Sequence, residues 1–437
     1  MSVTATSKRR DRGAGSGTMS EPLVIIGNGM AAAKLVEELN ARALGRYAVC
    51  VIGDEPRLAY NRVLLSSVLA REVSRGDIEL KAAGWWRAHG VTLLYGHRAV
   101  SIDADIRRVK LANGATLPFG KLVLATGSKA IRLNVPGMDM PGVITFRDLA
   151  DVASMEQAAK THRRAAVIGG GLLGLEAAYG LAKAGMQVSV IHLMDRLMER
   201  QLDARASAML KSAVEAKGIE VHLNAETAAI KGPHRAEKVL LKGGGEIAAD
   251  LVVVAAGIRA NSDLAATAGL TINRGIAVDD HMQSSKADIY AIGECAEHRG
   301  TCYGLVEPAY EQARVLAGHL AGQNAAYQGS VLATNLKVSG VNVYSAGDFI
   351  GAPGTENIVL SDPGLGSYKK LVLKDGKLAG AVLFGDTADG LWYSELIRLG
   401  TPVAAMRGDL IFGRALAERS LPKAESPKPL PPKDMAA

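Results

Sequence analysis

Cysteine is scarce: the 437 residues hold three, Cys50, Cys295 and Cys302. That excludes a disulfide scaffold and points to a reducing compartment. It also excludes an iron–sulfur cluster of the standard kind, which takes four thiolates. Long apolar runs are missing as well. No window of about 18 residues is apolar and free of charge, so no membrane-spanning helix and no membrane partner are expected. No apolar segment accompanies the basic residues ahead of Glu21, so secretion is not indicated and the cytoplasm is the expected compartment. Nor is there a concentrated basic face. The net charge is +7, but residues 1–20 carry +3 and residues 414–437 carry +2, leaving only +2 for the body. A nucleic-acid footprint needs charge clustered on a folded surface, so no nucleic-acid partner is expected. With 48% hydrophobic and 22% charged positions the bulk of the chain reads as globular, long enough for about three domains.

What is present is a repeated pattern. An apolar run at 23–26 leads into Gly27-Asn28-Gly29-Met30-Ala31-Ala32, then an amphipathic stretch to residue 44 and a second apolar run at 47–52 ending in Gly53-Asp54-Glu55. This reads as strand, tight turn, helix, strand. The same grammar recurs 142 residues later. The run 165–168 leads into Gly169-Gly170-Gly171-Leu172-Leu173-Gly174, a helical stretch to 184 and a strand at 187–192. Short Val-rich segments between the units suit strands. After Gly322 the pattern changes to alternating segments separated by Asp-Gly and Gly-rich turns, which predicts a small α+β domain. Five prolines within residues 421–432 mark a disordered tail.

A glycine turn between a strand and a helix lets backbone amides face a pyrophosphate that side chains would keep away. Two such turns in context point to two bound dinucleotides. Ala32 takes the third fingerprint position in the first copy. Asp54 and Glu55 lie about 20 residues past it, the spacing of a ribose acceptor. In the second copy the strand ends on His192 instead of an acid, and Arg196, four residues on, is placed to meet a 2′-phosphate, so the choice between NAD and NADP stays open.

Two dinucleotide units, one inserted in the other, resemble the two-dinucleotide-binding-domain flavoproteins, the glutathione and ferredoxin reductase relatives. Leu124-Ala125-Thr126-Gly127-Ser128 resembles the motif that closes their first FAD segment, and Ala255-Ala256-Gly257-Ile258-Arg259 its counterpart after the NAD domain. The stretch from Asp288 to Gly293-Glu294 is similar to the strand whose final Gly-Asp contacts FAD, with Glu294 in place of Asp. Ala59-Tyr60-Asn61-Arg62-Val63-Leu64-Leu65-Ser66 resembles the loop whose arginine reaches the flavin, and Ser67 stands where a lysine is frequent. Within the group, the chain is most similar to the flavoprotein part of NAD(P)H-dependent nitrite reductases and of assimilatory nitrate reductase electron-transfer subunits. Those proteins continue into iron–sulfur and sirohaem regions that this sequence does not include, so nitrite reduction by this stretch alone is not expected.

The resemblance implies an α/β fold. Two Rossmann-like domains bind FAD (21–130 and 260–325) and NAD(P) (131–259), followed by a small C-terminal α+β domain (326–413). A basic tail (1–20) and a Pro-rich tail (414–437) are expected to be disordered. FAD and NAD(P)H are the implied cofactors, with NADH expected over NADPH. The implied cofactor-binding residues are those of the two turns, Asp54, Glu55, Arg62, Val100, Thr126, Gly127, His192, Gly257, Gly293 and Glu294. No metal ligand is expected. Glu176 matches a family glutamate near the nicotinamide, or is an ordinary glutamate of the first helical turn; Glu307, at the start of a helix aimed at the flavin, is the second catalytic candidate. The function implied is electron transfer from NAD(P)H through FAD to a redox partner in nitrate or nitrite assimilation, either a reductase catalytic subunit or a ferredoxin-like carrier. The alternatives are an NADH oxidase, a quinone or small-molecule reductase, or a non-catalytic NAD-responsive flavoprotein.

Overall fold

The computed structural model describes residues 20–338 and 340–420. Residues 1–19 and 421–437, which hold most of the two expected tails, lie outside the described residues. Apolar runs with no alternation build strands that are covered on both faces. Leu23, Val24, Ile25 and Ile26 are all buried at the centre of a five-stranded parallel sheet. Its order is Ile289–Ala291, Lys121–Leu124, Glu21–Ile26, Tyr47–Gly53, Thr92–Tyr95. A second parallel sheet has the order Ile219–His222, Gln187–Ile191, Arg164–Ile168, Leu251–Val254, Val143–Thr145. All of the second sheet falls between two strands of the first, so one unit is inserted in the other, as expected.

The internal repeat extends further than the glycine turns. Each parallel sheet carries a three-stranded antiparallel meander directly ahead of one of its strands: Ala99–Asp103, Arg108–Leu111 and Thr116–Pro118 in the first; Thr227–Lys231, Lys238–Leu241 and Glu246–Ala248 in the second. The two crossings between the units pair with each other. Ser128–Ala130 and Ile258–Ala260 form an antiparallel ribbon, with Ser128 opposite Ala260. Helix Met30–Arg42 buries Leu35, Val36 and Leu39 against Ala313, Leu316 and Leu320 of helix Val306–Leu320, covering one face of the first sheet.

The third unit is a five-stranded antiparallel sheet in the order Ala333–Val338, Val341–Gly347, Lys377–Phe384, Ser367–Lys374, Glu356–Asp362, backed by helix Gly390–Leu399. Asp375 and Gly376, both at positive φ, make its tightest turn. The Pro-rich tail begins later than residue 414. Asp389 accepts the Arg414 amide at 3.0 Å, and the helix Arg414–Ala417 that follows buries Ala417 in this unit's core. The second helix also starts earlier than the pattern suggests, at Leu172, directly after Gly171.

The third unit is not a separate body. Val343, Tyr368, Val382 and Phe384 share a hydrophobic cluster with Leu202, Ala206 and Leu210 of the inserted unit. Across this seam the Tyr368 hydroxyl donates to Asp203 at 2.7 Å, both side chains being buried. Replacing Tyr368 with Phe removes one charge-assisted hydrogen bond and should lower stability by about 2 kcal/mol, read as a reduced denaturation midpoint. An unchanged midpoint would show that the seam does not depend on this bond.

Candidate active site

Both glycine fingerprints fold into the same turn. Gly27 adopts φ +116°, and a Cβ built on it would lie 2.1 Å from the Ala125 carbonyl oxygen. Gly169 adopts φ +129°, with the Ala255 carbonyl oxygen 2.3 Å away in the same sense. Only glycine fits either position. A Cβ on Gly174 would lie 1.9 Å from the Gly169 oxygen, so the second helix packs tightly on its turn; Ala32, its counterpart, is fully buried.

The two helices that follow start on Gly29 and Gly171, with no side-chain cap on either. Nothing lies within 4 Å of a Cβ built on either glycine. Two neighbouring helices differ: Asp148 accepts the Ala150 and Asp151 amides of Leu149–Thr161, and Asp203 accepts the Ala206 amide of Ala204–Glu215. The first-turn amides at Met30 and Ala31, and at Leu172 and Leu173, are thus left facing open space at the positive end of a helix dipole. That arrangement suits the pyrophosphate of a dinucleotide.

The other first-site candidates gather at the carboxyl ends of the first sheet. A Cβ on Gly293 would come within 3.1 Å of Ala31, and the Gly293 amide donates to Gln312 at 2.7 Å. Two buried polar atoms beside the turn, Asn28 Oδ1 and Gln312 Nε2, have no protein partner, as in a site completed by a ligand. The Thr126 hydroxyl donates to the Asn261 carbonyl at 2.7 Å. The acidic pair separates. Asp54 stays exposed, 3.9 Å from Arg98, whereas Glu55 accepts from the Tyr60 hydroxyl at 2.8 Å and pairs with Arg62. Val100 is exposed on its strand, two residues past Arg98.

Arg62 donates to the Arg147 carbonyl at 3.0 Å. Arg147 in turn reaches the Ser128 hydroxyl at 2.8 Å and pairs with Glu294, which accepts from Ser128 at 2.7 Å. Glu294 therefore lies beside Gly127 but is already engaged. Arg147 is the residue that sequence reasoning missed. It sits in the loop ahead of a helix cap, and no spacing marks it. His192 is buried against the second turn, its Nδ1 accepting the Gly170 amide at 3.0 Å. Gly257 adopts φ +117° at the start of the crossing ribbon.

The two catalytic candidates part company. Glu307 is exposed and bonded to Arg314 at 3.0 Å. Glu176 is 8% exposed and lies beside the Ser66 hydroxyl of the other unit. It lies a full turn into its helix, past the reach of the dipole that would stabilise a first-turn acid. Ser67, in place of the frequent lysine, donates to Glu72 at 3.4 Å, and among the described residues no cation forms an ion pair with Glu176. Burial pushes its carboxyl up to about 7. No cysteine occupies the loop around Arg62. Cys295 is buried with its thiol toward the Leu124 and Ile292 carbonyls, and burial pushes all three thiols up, so they stay protonated and poorly nucleophilic.

Residues 21–315 match the family described as pyridine nucleotide-disulphide oxidoreductase. The chain belongs to that family. Residues 333–401 of this oxidoreductase match the rubredoxin NAD+ reductase C-terminal domain. It is 47% identical to a nitrite reductase (NAD(P)H) of Bacillus subtilis (strain 168) over 369 residues, 84% of this chain and 46% of that protein. It is 45% identical to the assimilatory nitrate reductase electron transfer subunit of the same organism over 368 residues, 84% of this chain and 48% of the other. The chain thus spans about half the length of these curated relatives. Among solved structures, a ferredoxin reductase from Rhodopseudomonas palustris superposes with a TM-score of 0.81 at 28% identity, covering 88% of this chain and 96% of that one. FAD and NAD(P)H are the cofactors of this oxidoreductase, and its two open, uncapped turns fit one nucleotide each.

Glu176 makes the stability of this oxidoreductase depend on pH. Its folded-state value near 7 exceeds the ordinary 4.5, so the folded state binds the proton more tightly. The penalty of burying the carboxylate is absent below about 4.5 and fully present above about 7, reaching roughly 3 kcal/mol. Glu176→Gln should therefore melt higher than the parent at pH 8, with the gap closing by pH 5. A gap independent of pH would show that Glu176 is not a buried, unpaired acid.

Proposed function

We propose that this oxidoreductase takes electrons from NAD(P)H and passes them through FAD to a separate redox protein serving nitrate or nitrite reduction. The observation that carries this reading is the pairing of two dinucleotide cradles with no reactive thiol beside either. Electrons that do not pass to a disulfide leave for an acceptor outside the chain, in this reading through a surface contact. The two relatives, a nitrite reductase and a nitrate reductase electron transfer subunit, support the class of acceptor. When bound, FAD supplies the step from paired to single electrons.

The chain's own residues have these roles. The amides after Gly27 and Gly29 hold the FAD pyrophosphate, and Asp54, the open member of the acidic pair, accepts from its ribose. Arg62, Arg147 and Glu294 form the polar wall along the flavin. The amides after Gly169 and Gly171 hold the NAD(P)H pyrophosphate. Glu176 orients the nicotinamide at the seam between the units, where its carboxyl keeps its proton up to about pH 7 and can donate it in a hydrogen bond. The partner, a reductase catalytic subunit or a ferredoxin-like carrier, docks on the open part of residues 295–306, from Arg299 to Val306, and on the C-terminal domain. The protein works in the cytoplasm, in keeping with its three free cysteines; among the described residues no helix is long and apolar enough to cross a membrane.

An electron-transfer contact buries less than about 1,200 Å² and responds to salt. After anaerobic reduction by NADH, the flavin should be reoxidised faster by a ferredoxin- or rubredoxin-type carrier than by oxygen, and the carrier rate should fall as salt rises. Faster turnover with oxygen or a quinone would favour a small-molecule reductase instead. A flavin that NADH does not bleach would favour a non-catalytic role.

A further inference from the structure

His192 occupies the strand end where an acidic ribose acceptor is usual in a dinucleotide fold. The ring is buried and both of its nitrogens are used. The Gly170 amide donates to Nδ1 at 3.0 Å. An amide N–H can only donate, so Nδ1 is the acceptor and the ring proton of this tautomer sits on Nε2. Nε2 faces Glu199 Oε2 at 3.2 Å. The ring therefore has no acceptor left for a ribose hydroxyl.

Glu199 reaches this place because its loop is stapled to the fingerprint. The Met198 amide donates to the Gly170 carbonyl at 3.0 Å, and Met198 is held at φ +50°. Leu197 and Met198 are fully buried beneath the turn. On the other side, the Asn224 and Ala225 amides donate to the Met194 and His192 carbonyls at 3.0 and 2.9 Å. Glu199 follows directly, its side chain 22% exposed and its second oxygen 3.9 Å from the exposed Arg200. Arg196, the residue placed to meet a 2′-phosphate, has Nη1 bonded to both Asp195 oxygens at 3.0 and 3.2 Å.

We propose that Glu199, positioned by His192, is the carboxylate that receives the adenosine ribose of the nicotinamide cofactor and selects NADH over NADPH. The chain has moved the acid from the strand end to the returning loop, with the imidazole as a spacer between the fingerprint amide and the carboxylate. One Glu199 lone pair is taken by His192, and the others accept the ribose diol. A 2′-phosphate removes one of those donors and brings its own negative charge against the carboxylate. The inference rests on the second cradle holding NAD(P)H, as proposed above.

The test is calorimetric binding of ADP-ribose and of its 2′-phosphate to the FAD-loaded protein, a readout that needs no turnover. The parent should bind ADP-ribose more tightly by roughly tenfold or more, and Glu199→Gln should lose that margin by weakening ADP-ribose. Arg196→Ala should leave the ratio unchanged. His192→Leu should weaken ADP-ribose as Glu199→Gln does, and His192→Gln, which keeps an acceptor for Gly170 and a donor for Glu199, should restore it. A margin that survives Glu199→Gln would overturn the inference, as would a preference for the 2′-phosphate that Arg196→Ala abolishes. If the parent binds neither probe, the assignment of the cradle falls with it; if it binds both and Glu199→Gln changes nothing, the Glu199 role alone falls.

Discussion

A glycine pressed against a carbonyl oxygen sets the geometry of both nucleotide-binding units. At Gly27 the oxygen is that of Ala125, at Gly169 that of Ala255, and in each case no side chain fits between. The contact brings the fingerprint turn close to the next strand, and the helix that follows begins on a glycine with open space beside it. Its first amides then point into open space. The same two carbonyls lie just ahead of the interdomain crossings: Ala125 is three residues from Ser128, Ala255 three from Ile258. Those crossings pair into one ribbon. The contact that shapes each cradle therefore also fixes where the units join, and both cradles are referred to a single hinge.

The rest of the site bridges the two units around that hinge. Arg147, from the inserted unit, reaches Ser128 and Glu294 and offers its carbonyl to Arg62. Glu176, also from the inserted unit, lies beside Ser66 of the first. The third unit braces this pair from behind, through the core shared by Phe384 and Leu210 and the bond from Tyr368 to Asp203. Departures from the family pattern have local consequences. Serine at 67 turns to Glu72. Glutamate at 294 spends its carboxylate on Arg147. Histidine at 192 spends its ring on the Gly170 amide and Glu199.

The parts legible in the sequence were those whose physics is local. Unbroken apolar runs such as 23–26 announce strands covered on both faces, and a glycine turn before a helix announces an uncapped amide end, so the α/β class and the inserted repeat could be read directly. Contacts between distant segments could not. Asp54 and Glu55 are adjacent and chemically alike, and only Arg62 and Tyr60 coming from another loop separate them. Glu307 looks the equal of Glu176 until the fold leaves one exposed and buries the other. Arg147 carries no motif because its partners lie 19 and 147 residues away. Arg414 reads as the start of a tail until Asp389, from an earlier loop, caps it.

The central claim is that this chain brings NAD(P)H and FAD together for direct transfer with no thiol in between. The most direct measurement is anaerobic rapid-mixing of the flavoprotein with NADH and with NADH deuterated at the transferred position. It should be made on the parent and on the variant with Cys50, Cys295 and Cys302 all changed to Ser. The account predicts that the flavin bleaches in both proteins at rates within a few fold of each other, and more slowly with the deuterated nucleotide. A variant that keeps its FAD but no longer bleaches would contradict it.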